Sequence, residues 1–227
     1  MKTEELKSLV KRFQHSLSYY KDNKKHYNEH SCRIEYIEPM LNLLGWDVSN
    51  KKGLPPQYRE VIAENYSSDT DRPDYSMTLK GVTKFFVEVK KPAIDISSAS
   101  EAAFQARKYG WNANHKITVL TNFEYLIIYD TTYCPQITDY NSVARFRIYH
   151  FSEYESKFDE ISQLISRESI YEGRFDKYCN ENVVCESAHK QQVDELFLEQ
   201  INQWRMAISN SLLNRDHKYR SIEKLND

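Results

Sequence analysis

RPDYSMTLKGVTKFFVEVKKP, Arg72 to Pro92, is the stretch from which the rest of the chain can be laid out. Tyr75, Met77 and Leu79 alternate with Ser76, Thr78 and Lys80, the period of two of a strand with one buried face. Lys80-Gly81-Val82 predicts a tight turn, with Gly81 free to take a positive φ. Beyond it, Phe85, Val87 and Val89 fall on one face and Phe86, Glu88 and Lys90 on the other. Pro92 has no N–H to give to a ladder and ends the second strand.

A hairpin centred on Gly81 sets Asp74 directly opposite Glu88, with Cβ atoms roughly 4.5–5.5 Å apart. Like charges so placed are destabilising, and removing either is expected to relieve the repulsion. A pair of carboxylates is what a divalent metal needs, and the metal in turn activates a water. Lys90 points the same way as Glu88 and is placed to steady charge at a reacting phosphate. Glu-x-Lys alone is common on solvated strands. Here a Pro-Asp precedes it by thirteen residues, and the opposite face is apolar.

At 227 residues the chain suits one domain, or one with an appendage. With 28% charged and 40% hydrophobic residues it has the balance of a globular protein. No apolar run is long enough to span a membrane, and MKTEELKSLVKRF lacks a signal-peptide core, so a cytoplasmic location is expected. The four cysteines show no C-x-x-C spacing and the seven histidines are scattered, which argues against a structural zinc site. A net charge of −2 is not that of a protein gripping DNA along its whole surface.

Upstream, Leu6, Val10, Phe13 and Leu17 predict a helix over residues 3–20. Ile34, Ile37, Leu41 and Leu44 predict a second from Glu29 to Leu44, ended by Gly45. Glu29, Glu35 and Glu38 on this helix compete for approach to the carboxylate pair, and periodicity leaves the choice open. Residues 58–66 allow a strand. Downstream, Ala102, Ala103, Ala106 and Tyr109 predict a helix from Ser98 to Trp111. Gln105 and Tyr109 share a face of it, and a Gln side chain both donates and accepts beside a metal or phosphate. Ile117–Thr121 and Glu124–Asp130 predict strands covered on both sides, and Ala144–Tyr149 an outer strand. From Phe151 the pattern turns helical, with Gly173–Tyr178 a connector. Val193, Leu196, Phe197, Ile201, Trp204 and Ile208 predict a long amphipathic helix. Residues 1–150 are thus expected to form a core, and 151–227 a helical extension.

The Pro73-Asp74 … Glu88-Val89-Lys90 pattern resembles the signature of the PD-(D/E)xK nucleases. Arg33-Ile-Glu-Tyr-Ile, Leu44-Gly-Trp-Asp-Val48, Arg72-Pro-Asp-Tyr75, Phe85-Phe-Val-Glu-Val-Lys-Lys-Pro92, Ala103-Phe-Gln-Ala-Arg-Lys-Tyr-Gly-Trp111 and Leu120-Thr-Asn-Phe-Glu124 follow in order. Together they resemble the nuclease region of single-chain, type IIG-like restriction–modification enzymes. More distantly they resemble the nuclease domain of type I restriction motor subunits.

The resemblance implies a mixed α/β (α+β) fold with an αβββαβ core, its mixed central sheet flanked by helices. It implies Mg²⁺-dependent cleavage of double-stranded DNA, with Mn²⁺ able to substitute, and Asp74, Glu88 and Lys90 as the catalytic trio. Gln105 and Tyr109 match a Gln-x-x-x-Tyr motif, and Glu29, in Glu-x-x-x-Arg, matches the family's helical acid. Asp74, Glu88 and the Val89 main-chain carbonyl are the expected metal ligands; Tyr109 and Lys91 are expected at the DNA phosphate. The family's Asn-Pro-Pro-Tyr methyltransferase motif and glycine-rich cofactor loop are missing from this sequence. The expectation is either a fragment, which the last helix favours as a spacer toward a methyltransferase and target-recognition region, or a stand-alone nuclease that takes recognition from a partner subunit, with a transient dimer for double-strand cleavage. The competing expectation is a non-catalytic DNA-binding or docking module that keeps the nuclease fold.

Overall fold

The computed structural model describes residues 2–22, 27–63, 72–182, 201 and 204–208. The chain divides into two compact units, 1–184 and 185–227. In the first unit, six strands form one sheet whose spatial order is their sequence order: β1 (Val61–Ala63), β2 (Tyr75–Leu79), β3 (Val82–Val89), β4 (Ile117–Thr121), β5 (Tyr125–Asp130) and β6 (Arg145–His150). Only β3 and β4 run parallel. A parallel pair needs a crossover, and helix α4 (Ser100–Asn112) supplies it. A helix before β1, three strands, α4 and β4 reproduce the expected αβββαβ order.

The two sheet faces carry separate apolar clusters. On one, Ala102, Ala103 and Ala106 of α4 meet Leu120, Ile127 and Tyr129. The helix lies so close that a Cβ on Gly110 would come within 2.3 Å of the Thr118 hydroxyl. On the other face α1 (Lys2–Asp22) packs through Leu6, Leu9, Val10 and Phe13. With both faces covered, β4 is buried along its whole length, whereas β6, at the edge, is only partly so.

The expected helix over Glu29–Leu44 is built in three pieces: α2 (Glu29–Cys32), a π turn (Arg33–Ile37) and α3 (Glu38–Leu43). In the π turn the Glu38 N–H donates to the Arg33 carbonyl, one residue further back than in an α-helix. The wider turn changes the buried stripe. Ile34, expected inside, is 51% exposed, and Arg33 and Tyr36 are buried in its stead.

Helices α5 (Tyr154–Ile165), α6 (Arg167–Tyr171) and α7 (Arg174–Asn182) follow β6. Tyr154, Ile161, Leu164, Ile170 and Phe175 belong to the same apolar cluster as α1 and the sheet. Trp46, beyond the end of α3, donates its ring N–H to the Ile165 carbonyl at 2.9 Å. The break in compactness therefore falls after Val184, not at residue 150. Of residues 173–178, expected as a connector, Arg174 to Tyr178 begin α7, and its Phe175 and Cys179 are buried. Val193, Leu196 and Phe197 lie outside the described residues. Ile201, Trp204 and Ile208 are helical and exposed. No helix among the described residues is long and apolar enough to cross a membrane.

Candidate active site

The β2–β3 hairpin closes on a two-residue turn, Lys80-Gly81, both at positive φ, with Leu79 paired to Val82. This is one residue shorter than the expected turn, and by itself it would place Asp74 out of step with Glu88. An irregularity between Met77 and Thr78 makes up the difference, so that Tyr75 pairs with Val87. Continued one residue, that register sets Asp74 beside Glu88. Val87 and Val89 face the α1 side of the sheet, so Glu88 faces α4.

Both carboxylates are largely withdrawn from water, with side-chain exposures of 13% for Asp74 and 4% for Glu88. Asp74 accepts the Val89 N–H at 2.8 Å through Oδ2 and meets the Arg33 guanidinium at 3.2 Å through Oδ1. Glu88 Oε1 accepts from the Lys90 ammonium at 2.7 Å. The buried Glu88 Oε2 has no hydrogen-bond partner. Lys90 also donates to Gln105 Oε1 at 3.0 Å, and Gln105 Nε2 donates to the Tyr109 hydroxyl at 2.9 Å. The i, i+4 pair on α4 and the end of β3 thus form one continuous chain of polar contacts.

Burial, opposed by Lys90 and reinforced by the charges of Asp74 and Glu29, pushes the Glu88 carboxyl up to about 7. Burial also raises Asp74, against the Val89 N–H and Arg33, which pull it down. Burial acts to lower the Lys90 ammonium, but Glu88, Glu29 and Asp74 together outweigh it and hold it above its ordinary value.

The three helical acids separate. Glu38 accepts the Tyr75 hydroxyl at 3.0 Å, and Glu35 accepts the Tyr27 hydroxyl at 3.2 Å. Glu29 is the one whose charge acts on Asp74, Glu88 and Lys90 together. Lys91 is half-buried one residue beyond Lys90, and the Val89 side chain lies in the core.

Arg33 was missed as a site residue. Its Nη1 reaches Asp74 and its Nε donates to the Tyr75 hydroxyl at 2.9 Å. The carboxylate pair therefore has a second cation, which the hairpin alone does not reveal. The spacing that admits Ile34 into a stripe with Ile37 and Leu41 equally admits Arg33, and that ambiguity, together with the place of Arg33 in the Glu-x-x-x-Arg motif, was the available signal.

Among the described residues no three His, Cys, Asp or Glu side chains converge as a closed metal centre requires. Two carboxylates are the complement that Mg²⁺ uses when waters and substrate phosphate complete its shell. Glu88 Oε2, buried and without a partner, beside a second carboxylate, fits that arrangement.

No family model matches the chain. Over its whole length it is 40% identical to the Type II restriction enzyme and methyltransferase RM.Eco57I of Escherichia coli. It spans only 23% of that protein's length. A solved structure, the type IIG restriction endonuclease BpuSI, aligns to 71% of this chain and 19% of its own at 18% identity, with a TM-score of 0.36. The resemblance to fused restriction enzyme–methyltransferases, first carried by scattered motifs, thus holds from one end of the chain to the other.

Proposed function

We propose that this chain is the DNA-cleaving part of a restriction–modification system and hydrolyses phosphodiester bonds with a divalent cation, Mg²⁺ or Mn²⁺. One observation carries this: a buried carboxylate oxygen of Glu88, without a partner, beside Asp74, with Lys90 bonded both to the other oxygen of that carboxylate and to Gln105.

Asp74 and Glu88 would hold the cation, joined by the Val89 main-chain carbonyl. Such a cation would lower the pKa of a bound water so that it gives up a proton to solvent and becomes a hydroxide nucleophile near neutral pH. Lys90 sets a positive charge where the phosphate gains negative charge, and Gln105, fixed by Tyr109, keeps the ammonium aimed there. Glu29 adds negative potential that draws a cation in. Tyr109 and Lys91 would meet the DNA phosphate. Recognition of a particular sequence would fall to a methyltransferase and target-recognition region, with residues 190–227 as the spacer, and double-strand cleavage to a transient pair of copies.

The test is incubation of the chain with supercoiled plasmid and Mg²⁺ or Mn²⁺, compared with Asp74→Asn and Glu88→Gln. Metal-dependent nicking or linearisation by the wild type alone is expected. DNA binding with no cleavage under any divalent metal would favour the non-catalytic docking module.

A further inference from the structure

A buried arginine has to be paired, and Arg33 retains only 7% of its side-chain exposure. It is held from two sides. Its Nε donates to the Tyr75 hydroxyl, which in turn donates to Glu38, and the guanidinium lies 4.4 Å from the centroid of the Tyr75 ring. Its Nη1 then faces Asp74 at 3.2 Å. Arg33 opens the π turn, in which Arg33 is buried and Ile34 is exposed. Such one-turn widenings recur at functional positions.

The consequence is a site already neutralised from within. Lys90 occupies one oxygen of Glu88, and Arg33 one oxygen of Asp74. Lys90 has a use in the reaction proposed above. Arg33 has none there, and it stands against a carboxylate that the cation would need.

We propose that Arg33 is a positioning residue that competes with the divalent cation for Asp74. In the metal-free protein the guanidinium fixes the carboxylate and offsets its charge. Cation binding requires that this ion pair be loosened, so the clamp weakens affinity for a metal while keeping Asp74 in place for the reaction. The inference rests on the nuclease function proposed above.

Mn²⁺ binding to the whole chain, measured by calorimetry without DNA at about pH 8, separates this role from a merely structural one. Arg33→Met removes the charge and keeps the bulk. It is expected to tighten Mn²⁺ binding at least tenfold, with a ceiling of roughly a thousandfold for one unit charge about 4 Å away at an effective dielectric of about 20. Its turnover on plasmid should nevertheless fall, because Asp74 loses its anchor. Arg33→Lys keeps the charge and should bind Mn²⁺ close to the wild-type affinity. Should Arg33→Met fail to fold, Arg33→Gln carries the same comparison.

Mn²⁺ affinity that is unchanged or weaker in the uncharged variant overturns the proposal, as does equal tightening in Arg33→Lys. Glu88→Gln is the control. If the wild type binds Mn²⁺ through Glu88 and Arg33→Met binds no tighter, only this inference fails. If the wild type neither binds Mn²⁺ nor cuts DNA, the nuclease function fails and the inference with it.

Discussion

Replacing Glu88 by glutamine tests the electrostatics of the site without any DNA. Burial raises the Glu88 carboxyl from 4.5 to about 7. For a carboxylate held above its unfolded value, the native state keeps a proton that the unfolded chain has lost. Its contribution to stability is full below about pH 4.5 and is lost as pH rises toward 7. At about 1.4 kcal/mol per unit, ionising Glu88 in the metal-free protein costs on the order of 3 kcal/mol by pH 8. Glutamine has the same shape, still accepts from Lys90 and carries no charge. The stability of Glu88→Gln minus that of the wild type should therefore grow by about 2.5 kcal/mol between pH 5 and pH 8, worth roughly 5–10 °C in Tm for a chain of this size. Chelator-treated protein in urea, followed by circular dichroism at several pH values, gives this difference with other titrations cancelled. Mn²⁺ should reverse the order at pH 8 by stabilising only the wild type. A difference that stays flat from pH 5 to pH 8 would refute the argument, because Glu88 would then ionise in the folded protein as it does in water.

Asp74→Ala should behave oppositely and lose about 1–3 kcal/mol in urea, because it strands the Arg33 guanidinium and the Val89 N–H that Asp74 now accepts; a gain would restore the simple repulsion expected from the hairpin. Lys90→Ala should reduce turnover on plasmid by more than tenfold, roughly the worth of one well-placed charge, while Mn²⁺ affinity measured by calorimetry holds or improves; equal loss of both would make Lys90 a support for the metal site. Glu60, buried and bound by Lys52 and Arg167 at 2.7 Å each, has a carboxyl held below its ordinary value despite burial, by those two cations and the Asp47 N–H. The stability it provides is present above the unfolded carboxylate value and fades as pH falls, so Glu60→Gln should cost about 1–3 kcal/mol at pH 7 and less at pH 4, measured in urea. Adding or deleting whole helical turns within residues 190–227, in a protein that also carries the recognition region, should move the cut by about 1.5 Å of reach per residue; cuts that stay put, mapped by sequencing the ends, would remove the spacer role.

Much of this molecule is legible in the order of its residues. The alternation in 75–79 and 85–89, the apolar runs at 117–121 and 125–130 and the small-residue face of α4 each express a local rule, and each element forms where its own pattern places it. The pairing of Asp74 with Glu88 was also legible, although the turn is shorter and an irregularity in β2 makes up the residue. What local pattern does not contain is the phase of a helix that switches from α to π for one turn. A stripe at steps of three and four fits Ile34 or Arg33 equally well, and only the surroundings choose between them. Tyr75 and Asp74 offer a hydroxyl and a carboxylate to a guanidinium, and a buried isoleucine could use neither. The extent of the core was hidden for a similar reason. Residues 151–182 carry the pattern of amphipathic helices, and that pattern is the same whether the apolar face meets this sheet or a different domain. The contact of Tyr154, Ile161 and Phe175 with the α1 face decides it, because an exposed hydrophobic sheet face is costly and these helices are the ones in reach. Periodicity says which side of an element is apolar; the fold alone says what that side meets.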